Sequence, residues 1–262
     1  MINADFHTHS YYSSDSTELL RKMADSALEK GLKTLCLTEH HDPDYPTGEF
    51  NLDTEKYREE LLRLKEEYSG KPELLFGVEL GVMGYLAPRL REFVQKWDFD
   101  FVIASTHFVD GIDPYYPEYF EKLGAKNGVL RYFEATLENV NAFDNFDVYG
   151  HLDYVVRYSP EKKYNPVDYR ELIDEILKKL ISMGKGIEIN SKGASTIGYC
   201  HPNPFILNRY KELGGEIVTV GSDAHDGSHI SADFDKAEQA LCEAGFDYYT
   251  IFRKRKPVFI KL

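Results

Sequence analysis

Seven short apolar or β-branched runs punctuate the chain, and polar metal-binding residue types gather where each one ends. The runs are MINADF (1–6), TLCLTEH (34–40), ELLFGVE (73–79), FDFVIAST (99–106), FDVYGH (146–151), GIEIN (186–190) and EIVTVGS (216–222). Between them lie stretches of helical period near 17–30, 54–68, 86–96, 126–143, 168–183, 204–213 and 234–244. In the first, Leu19, Leu20, Met23, Ala27 and Leu28 recur at i, i+3/i+4 spacing, Thr17 is the expected N-cap and Gly31 the C′ residue. Strand-like runs alternating with helical ones read as βα units around a parallel sheet. Seven units are one short of a standard eightfold barrel, so a barrel and a doubly wound open sheet both fit this count. No linker, repeat or low-complexity tract interrupts the pattern, and residues 1–262 are expected to form one domain. The basic cluster from Arg253 to Lys256 reads as a solvated terminus beside a last strand.

The run ends are D-F-H-T-H, T-E-H-H, G-V-E, S-T-H, G-H-L-D, E-I-N and S-D-A-H. In a parallel barrel such ends converge on one face, where loops build the active site. With nine histidines in 262 residues an isolated H-x-H carries little weight. Seven polar strand ends on one face carry much more. Alternate strand residues share a face, so His7 and His9 reach one ion together, with Asp5 placed to orient an imidazole. Imidazole and carboxylate donors suit zinc, iron or manganese, and exclude a thiolate-based structural site. The donors exceed what one tetrahedral ion needs, which implies two or three ions. Such a cluster lowers the pKa of bound water from 15.7 towards about 7 and clamps both oxygens of an in-line displacement, chemistry suited to phosphate esters.

The formal charge of −13 opposes a phosphate backbone, so a nucleic-acid partner is not expected. Three scattered cysteines, Cys36, Cys200 and Cys242, without a secretory leader, point to buried spectators in a reducing cytoplasm. No run is long and apolar enough for a membrane span. No heptad or apolar stripe assigns an oligomeric state.

Taken in order, D-F-H-T-H (5–9), T-E-H (38–40), G-V-E (77–79), S-T-H (105–107), G-H-L-D (150–153) and S-D-A-H (222–225) resemble the PHP (polymerase and histidinol phosphatase) superfamily over residues 1 to about 226. The stretches from His9 to Asp15 and from His151 to Tyr158 are similar to the histidinol-phosphate phosphatases of histidine biosynthesis within it. The resemblance implies a distorted (β/α)7 barrel and a site for three divalent transition-metal ions (Zn, Fe or Mn). It also implies hydrolysis of L-histidinol phosphate by a metal-bridging hydroxide. By the same resemblance His7, His9, Glu79 and Asp223 hold one ion, Glu79, His107 and His151 a second, and Asp15, His40 and His225 the third, with Glu79 bridging. Asp15 stands where some members carry histidine. The residues themselves leave Glu39 or His40 open, and regular strand geometry together with the family order chooses His40.

For the substrate, a small phosphomonoester, Arg157 is the expected phosphate ligand through its planar fork, with Lys192 adding a point charge. The segment Ser191-Lys192-Gly193 departs from the N-T-x-x-x-R pattern of family members. Tyr115 or Tyr116, in the loop DGIDPYYPEYF (110–120), is placed to stack on an imidazole ring, with Tyr116 preferred. Asp153 is preferred to His225 as the acid for the leaving alkoxide, because a metal ligand does not readily serve. His41, His201 and His229 are read as surface or supporting residues. The alternatives are another phosphoesterase with the same site type, acting on phosphotyrosine proteins or nucleotides, and a metal-stabilised binding module without turnover.

Overall fold

Seven parallel strands form where the apolar runs stand. They are β1 (Ala4–Asp5), β2 (Thr34–His41), β3 (Glu73–Gly81), β4 (Phe101–Ser105), β5 (Val148–Tyr149), β6 (Gly186–Asn190) and β7 (Val218–Gly221). The computed structural model describes residues 1–45 and 48–262. Each strand pairs with its neighbour in the chain, in the order β1 to β7. No ladder joins β7 to β1, yet the sheet closes there through Phe6 N–H to Val220 O (3.0 Å), Asp223 N–H to His7 O (2.8 Å) and His9 N–H to Ala224 O (2.8 Å). The result is a (β/α)7 barrel with an irregular seam, and the open-sheet alternative falls away. β1 and β5 are two residues long, shorter than the runs predict. Beyond Asp5 the chain leaves the regular ladder, with the His7 amide facing the Asp5 carboxylate at 3.3 Å.

The helices are α1 (Leu20–Glu29), α2 (Thr54–Tyr68), α3 (Ala87–Lys96), α4 (Glu118–Leu123), α5 (Ala125–Ala142), α6 (Arg170–Ser182), α7 (Lys192–Thr196), α8 (Pro204–Glu212) and α9 (Phe234–Glu243). α4 and α7 are short and were not foreseen. Thr17 does not cap α1: Leu19 precedes the first turn, without a side-chain cap. At the far end Gly31 takes φ +74°, as a C′ glycine does. None of the described helices is long and apolar enough to cross a membrane.

The terminal run is a hairpin rather than a single strand. β8 (Tyr248–Arg253) pairs antiparallel with β9 (Lys256–Lys261). Its Phe252 ring packs 5.1 Å from Phe101, which lies 5.2 Å from Phe6, so the hairpin closes the amino end of the barrel. The two arginines of the basic cluster are engaged, contrary to a wholly solvated terminus, while Lys254 and Lys256 are exposed as that reading expects. Arg253 forks onto Glu73 with its Nε at 2.7 Å, Arg255 pairs with Asp147, and the Lys254 amide donates to Asp100 (3.1 Å). Those three acids stand at or just before the starts of β3, β4 and β5. Cys36 and Cys200 are buried, whereas Cys242 is exposed.

Candidate metal centre

Parallel register puts His40 of β2 beside Glu79 of β3. Glu79 is fully buried and is the hub of the carboxyl end of the barrel. Its Oε2 lies 3.0 Å from His7 Nε2, 3.1 Å from His40 Nδ1 and 3.6 Å from His9 Nε2. Its Oε1 lies 2.9 Å from His151 Nε2, 3.2 Å from His107 Nε2 and 2.7 Å from Ser105 Oγ. Around this hub, Asp223 Oδ1 is 3.7 Å from His9 Nε2 and 3.5 Å from His225 Nδ1. Asp15 Oδ2 lies 2.9 Å from His225 Nε2 and 3.6 Å from His40 Nε2. All nine candidate ligands named from the sequence thus meet in one cluster.

Protons alone do not satisfy this arrangement. A carboxylate offers about four lone-pair sites, and five imidazoles and a hydroxyl converge on this one. His7 Nδ1 lies 2.5 Å from Glu188 Oε1 and His107 Nδ1 lies 2.7 Å from Asp42 Oδ2, so in each neutral ring Nδ1 carries the proton and Nε2 turns its lone pair towards Glu79. Burial disfavours the charged form of both rings, but Glu188 and Glu79 hold His7, and Asp42 and Glu79 hold His107, well above the ordinary imidazole range. Burial, then the neighbouring His40, His225 and His7, pushes His9 well below it, and burial also lowers His151. Burial would raise Glu79, yet the surrounding imidazoles hold it well below the carboxylate range. Neighbouring imidazoles competing for protons around one carboxylate are what divalent cations relieve, since neutral imidazole and ionised carboxylate are their ligand forms. Sets of three donors drawn together here are His7, His9 and Asp223; His7, Glu79 and His151; His9, His40 and His225; and His40, Asp42 and His107.

Two glycines make room for the supporting carboxylates. A Cβ on Gly221 would collide with the Cβ of His7 and sit 2.6 Å from Glu188 Oε1, and a Cβ on Gly81 would sit 2.7 Å from the Asp42 carboxylate oxygens. Asp42 and Glu188 were not singled out in the sequence. Glu188 carried a signal, as the acid of E-I-N on β6, whereas Asp42 stands one residue past β2 and finds His107 only through the fold. Glu39 turns away from the cluster: it accepts from Ser10 N (3.0 Å), Ser10 Oγ (2.6 Å) and Ser13 Oγ (2.6 Å), and Ser13 in turn holds His9 Nδ1 at 3.2 Å. Asp5 orients no imidazole. It accepts from Ser222 Oγ and from the amides of Ser222 and Ser231, fixing the loop that carries Asp223.

Beside the cluster opens a pocket whose walls include Asp42, Tyr45, Asp113, Tyr154, Arg157 and Lys192. Arg157 is 8% exposed, its Nη1 lies 3.6 Å from Asp223 Oδ2, and its Nε and Nη2 have no partner among the described residues. Lys192 Nζ lies 3.0 Å from Asp223 O and 3.2 Å from His225 Nδ1. Two expectations fail here. Asp153 is fully buried away from the pocket, where its carboxylate is taken up by His201 Nδ1 (2.6 Å), Tyr164 (3.0 Å) and the Asn203 amide (3.0 Å), so no face is left to meet a leaving group. Tyr115 and Tyr116 are 59% and 46% exposed and are not among the pocket's walls; the Tyr115 ring packs 5.4 Å from Tyr158, behind the wall, and Asp113 accepts the Tyr115 amide (2.8 Å). The loop's contribution to the pocket is Asp113 itself.

Residues 5–192 match the family model described as the PHP domain. The chain belongs to the PHP family. Among PHP relatives, the histidinol-phosphatase of Lactococcus lactis subsp. lactis is 34% identical over 98% of this chain and 96% of its own length. The histidinol-phosphatase of Bacillus subtilis is 25% identical over 88% of this chain and 96% of its own. A crystal structure of the histidinol phosphate phosphatase from L. lactis, complexed with zinc, L-histidinol and phosphate, superposes with a TM-score of 0.90 at 32% identity over 98% of each chain. The barrel whose buried carboxyl end holds this cluster shares its architecture with the L. lactis phosphatase.

Proposed function

We propose that this chain is a metal-dependent phosphomonoesterase that hydrolyses L-histidinol phosphate to L-histidinol and phosphate. The observation that carries this reading is the buried Arg157 guanidinium, with two donors free among the described residues beside a cluster of imidazoles and carboxylates. A buried cation with unpaired donors is costly and calls for an anion. The likeness to the L. lactis phosphatase, which is 34% identical and crystallised with L-histidinol and phosphate, names the ester.

On the resemblance, His7, His9, Glu79 and Asp223 would hold one ion, Glu79, His107 and His151 a second, and Asp15, His40 and His225 a third. Bound divalent ions would supply a nucleophile from water near neutral pH and charge to stabilise the phosphoryl oxygens. The chain's own groups do the rest. Arg157 and Lys192 hold the phosphate, with Arg157 kept in place by the Tyr154 and Tyr158 rings at 5.2 and 6.0 Å. Asp223 lies between the two cations, 3.6 Å from Arg157 Nη1 and 3.3 Å from Lys192 Nζ. Asp113 supplies a carboxylate for the ammonium of the substrate, and Tyr45, which faces it at 3.4 Å, lines the same wall. With Asp153 turned away, protonation of the leaving alkoxide falls to solvent or to a group on the pocket wall.

A screen of phosphomonoesters with metal-replete protein tests the assignment. L-histidinol phosphate should be turned over with a kcat/KM about 10²-fold or more above esters that lack the ammonium and imidazole, in line with what a site built for polar groups can discriminate. Equal values across the panel would overturn the substrate assignment.

A further inference from the structure

Arg157 and Lys192 reach the pocket from different loops, after β5 and after β6, and a buried hydrogen-bonded pair joins the two. We infer that Asp153 and His201 are positioning residues that set the separation of these two cations; the inference rests on their proposed role as phosphate ligands. Asp153 O accepts the Val156 amide (3.0 Å) and so opens the single 3-10 turn, Tyr154–Arg157, that delivers the guanidinium. The Asp153 side chain is held by donors from two further segments, Tyr164 and the His201–Asn203 stretch. His201 is fully buried, and its backbone pairs in both directions with Asn190 (2.7 and 2.8 Å) at the end of β6. Asn190 Oδ1 accepts the Lys192 amide at 3.2 Å.

The next residue, Gly193, runs so close to this stretch that a Cβ would lie 2.6 Å from Tyr199 O and 2.8 Å from His201 Cδ2. An unbroken chain of contacts therefore runs from Arg157 through Asp153, His201 and Asn190 to Lys192. Within it the 2.6 Å bond between Asp153 Oδ1 and His201 Nδ1 is a charge-assisted contact in a region without solvent, the type that fixes geometry best. Arg157 meets Asp223 only at 3.6 Å and two aromatic faces at 5.2 and 6.0 Å, so the turn that carries it contributes to its position alongside these contacts.

The experiment measures kcat, KM for L-histidinol phosphate, the inhibition constant of inorganic phosphate and metal content for D153N, H201L, H201N and R157Q, and for the D153N/R157Q pair. R157Q should weaken phosphate inhibition by about 10-fold or more, the size expected for a charge-assisted contact; an unchanged value would overturn the phosphate role of Arg157 itself. With that role standing, D153N and H201L should each raise KM and the phosphate inhibition constant several-fold, with metal content and kcat much less affected. H201N, whose amide nitrogen can stand where Nδ1 does, should recover most of the loss. In the R157Q background D153N should add less than about 2-fold, because it acts through the same contact. Effects that multiply independently, or a D153N loss confined to kcat with a changed alkaline limb of the pH profile, would overturn the inference. Should D153N fail to fold, the H201L and H201N pair decides it alone.

Discussion

At the amino end of the barrel the charged side chains that link the hairpin to the sheet come in matched sets: Arg253 with Glu73, and Arg255 with Asp147. At the carboxyl end five imidazoles crowd one carboxylate, and a buried guanidinium keeps two donors without a partner among the described residues. Both ends are built from groups that water would otherwise solvate, but only the first is satisfied by the protein alone. The difference separates a structural use of charge from a functional one. Matched ions lock the hairpin under the sheet, while the unmatched set keeps its binding capacity for cations and an anion. The supporting carboxylates Glu188 and Asp42 hold that unmatched state by fixing which imidazole nitrogen faces inward.

Changes at the two ends should therefore fail differently. The largest effect is expected for Glu79→Gln, which keeps the shape of the hub and removes its charge. Turnover should fall by on the order of 10³-fold or more, with circular dichroism retained; activity near that of the parent would break the assignment of Glu79 as the bridge. Next come Glu188→Gln and Asp42→Asn, which leave every proposed ligand in place but loosen its orientation. Metal affinity, followed by competition with a chelator, should weaken about 10- to 100-fold. Unchanged affinity in both would mean that the tautomers are fixed by something else.

The amino end should show the reverse pattern. Arg255→Met strands the buried Asp147 and should cost about 1–3 kcal/mol in urea unfolding without changing kcat/KM or metal content. Arg253→Gln should cost at most about 1 kcal/mol, since its pair with Glu73 is partly exposed. The hydrogen bond from Arg253 holds the Glu73 carboxyl below its ordinary value of 4.5. That contribution is therefore complete above pH 4.5 and is lost as the pH falls through the lowered value, so the gap between parent and variant should close in acid. A gap that widened in acid, or a loss of activity at neutral pH, would contradict the division between the two ends.

Most of the candidate ligands were legible because parallel strands end together, so polar residues at or just past the strand ends became a spatial cluster, whereas Asp15, ten residues past β1, came from the family resemblance. Alternation along the strand separated His40 from Glu39, which does face away to Ser10 and Ser13. Residues that act through a partner in another loop were not legible. Asp42 meets His107 across 65 residues, and neither flanking sequence announces the pairing. Asp153 stands two residues after a proposed ligand, which suggested a place in the site, but its bond to His201, 48 residues on, turns it away. The hairpin was misread for a similar reason. Its basic cluster has no acidic neighbours in sequence, and the acids that engage it are scattered at the starts of strands. Tyr116 was judged by composition, while the turn that begins at Asp113, three residues earlier, leaves it 46% exposed.

The most direct test is the metal content of the carefully purified protein, measured by elemental analysis against protein concentration. The crowding of imidazoles around Glu79 predicts more than one divalent transition-metal ion per chain, and the proposed division of the ligands predicts about three. Fewer than two per chain would contradict the polynuclear centre on which the functional reading rests.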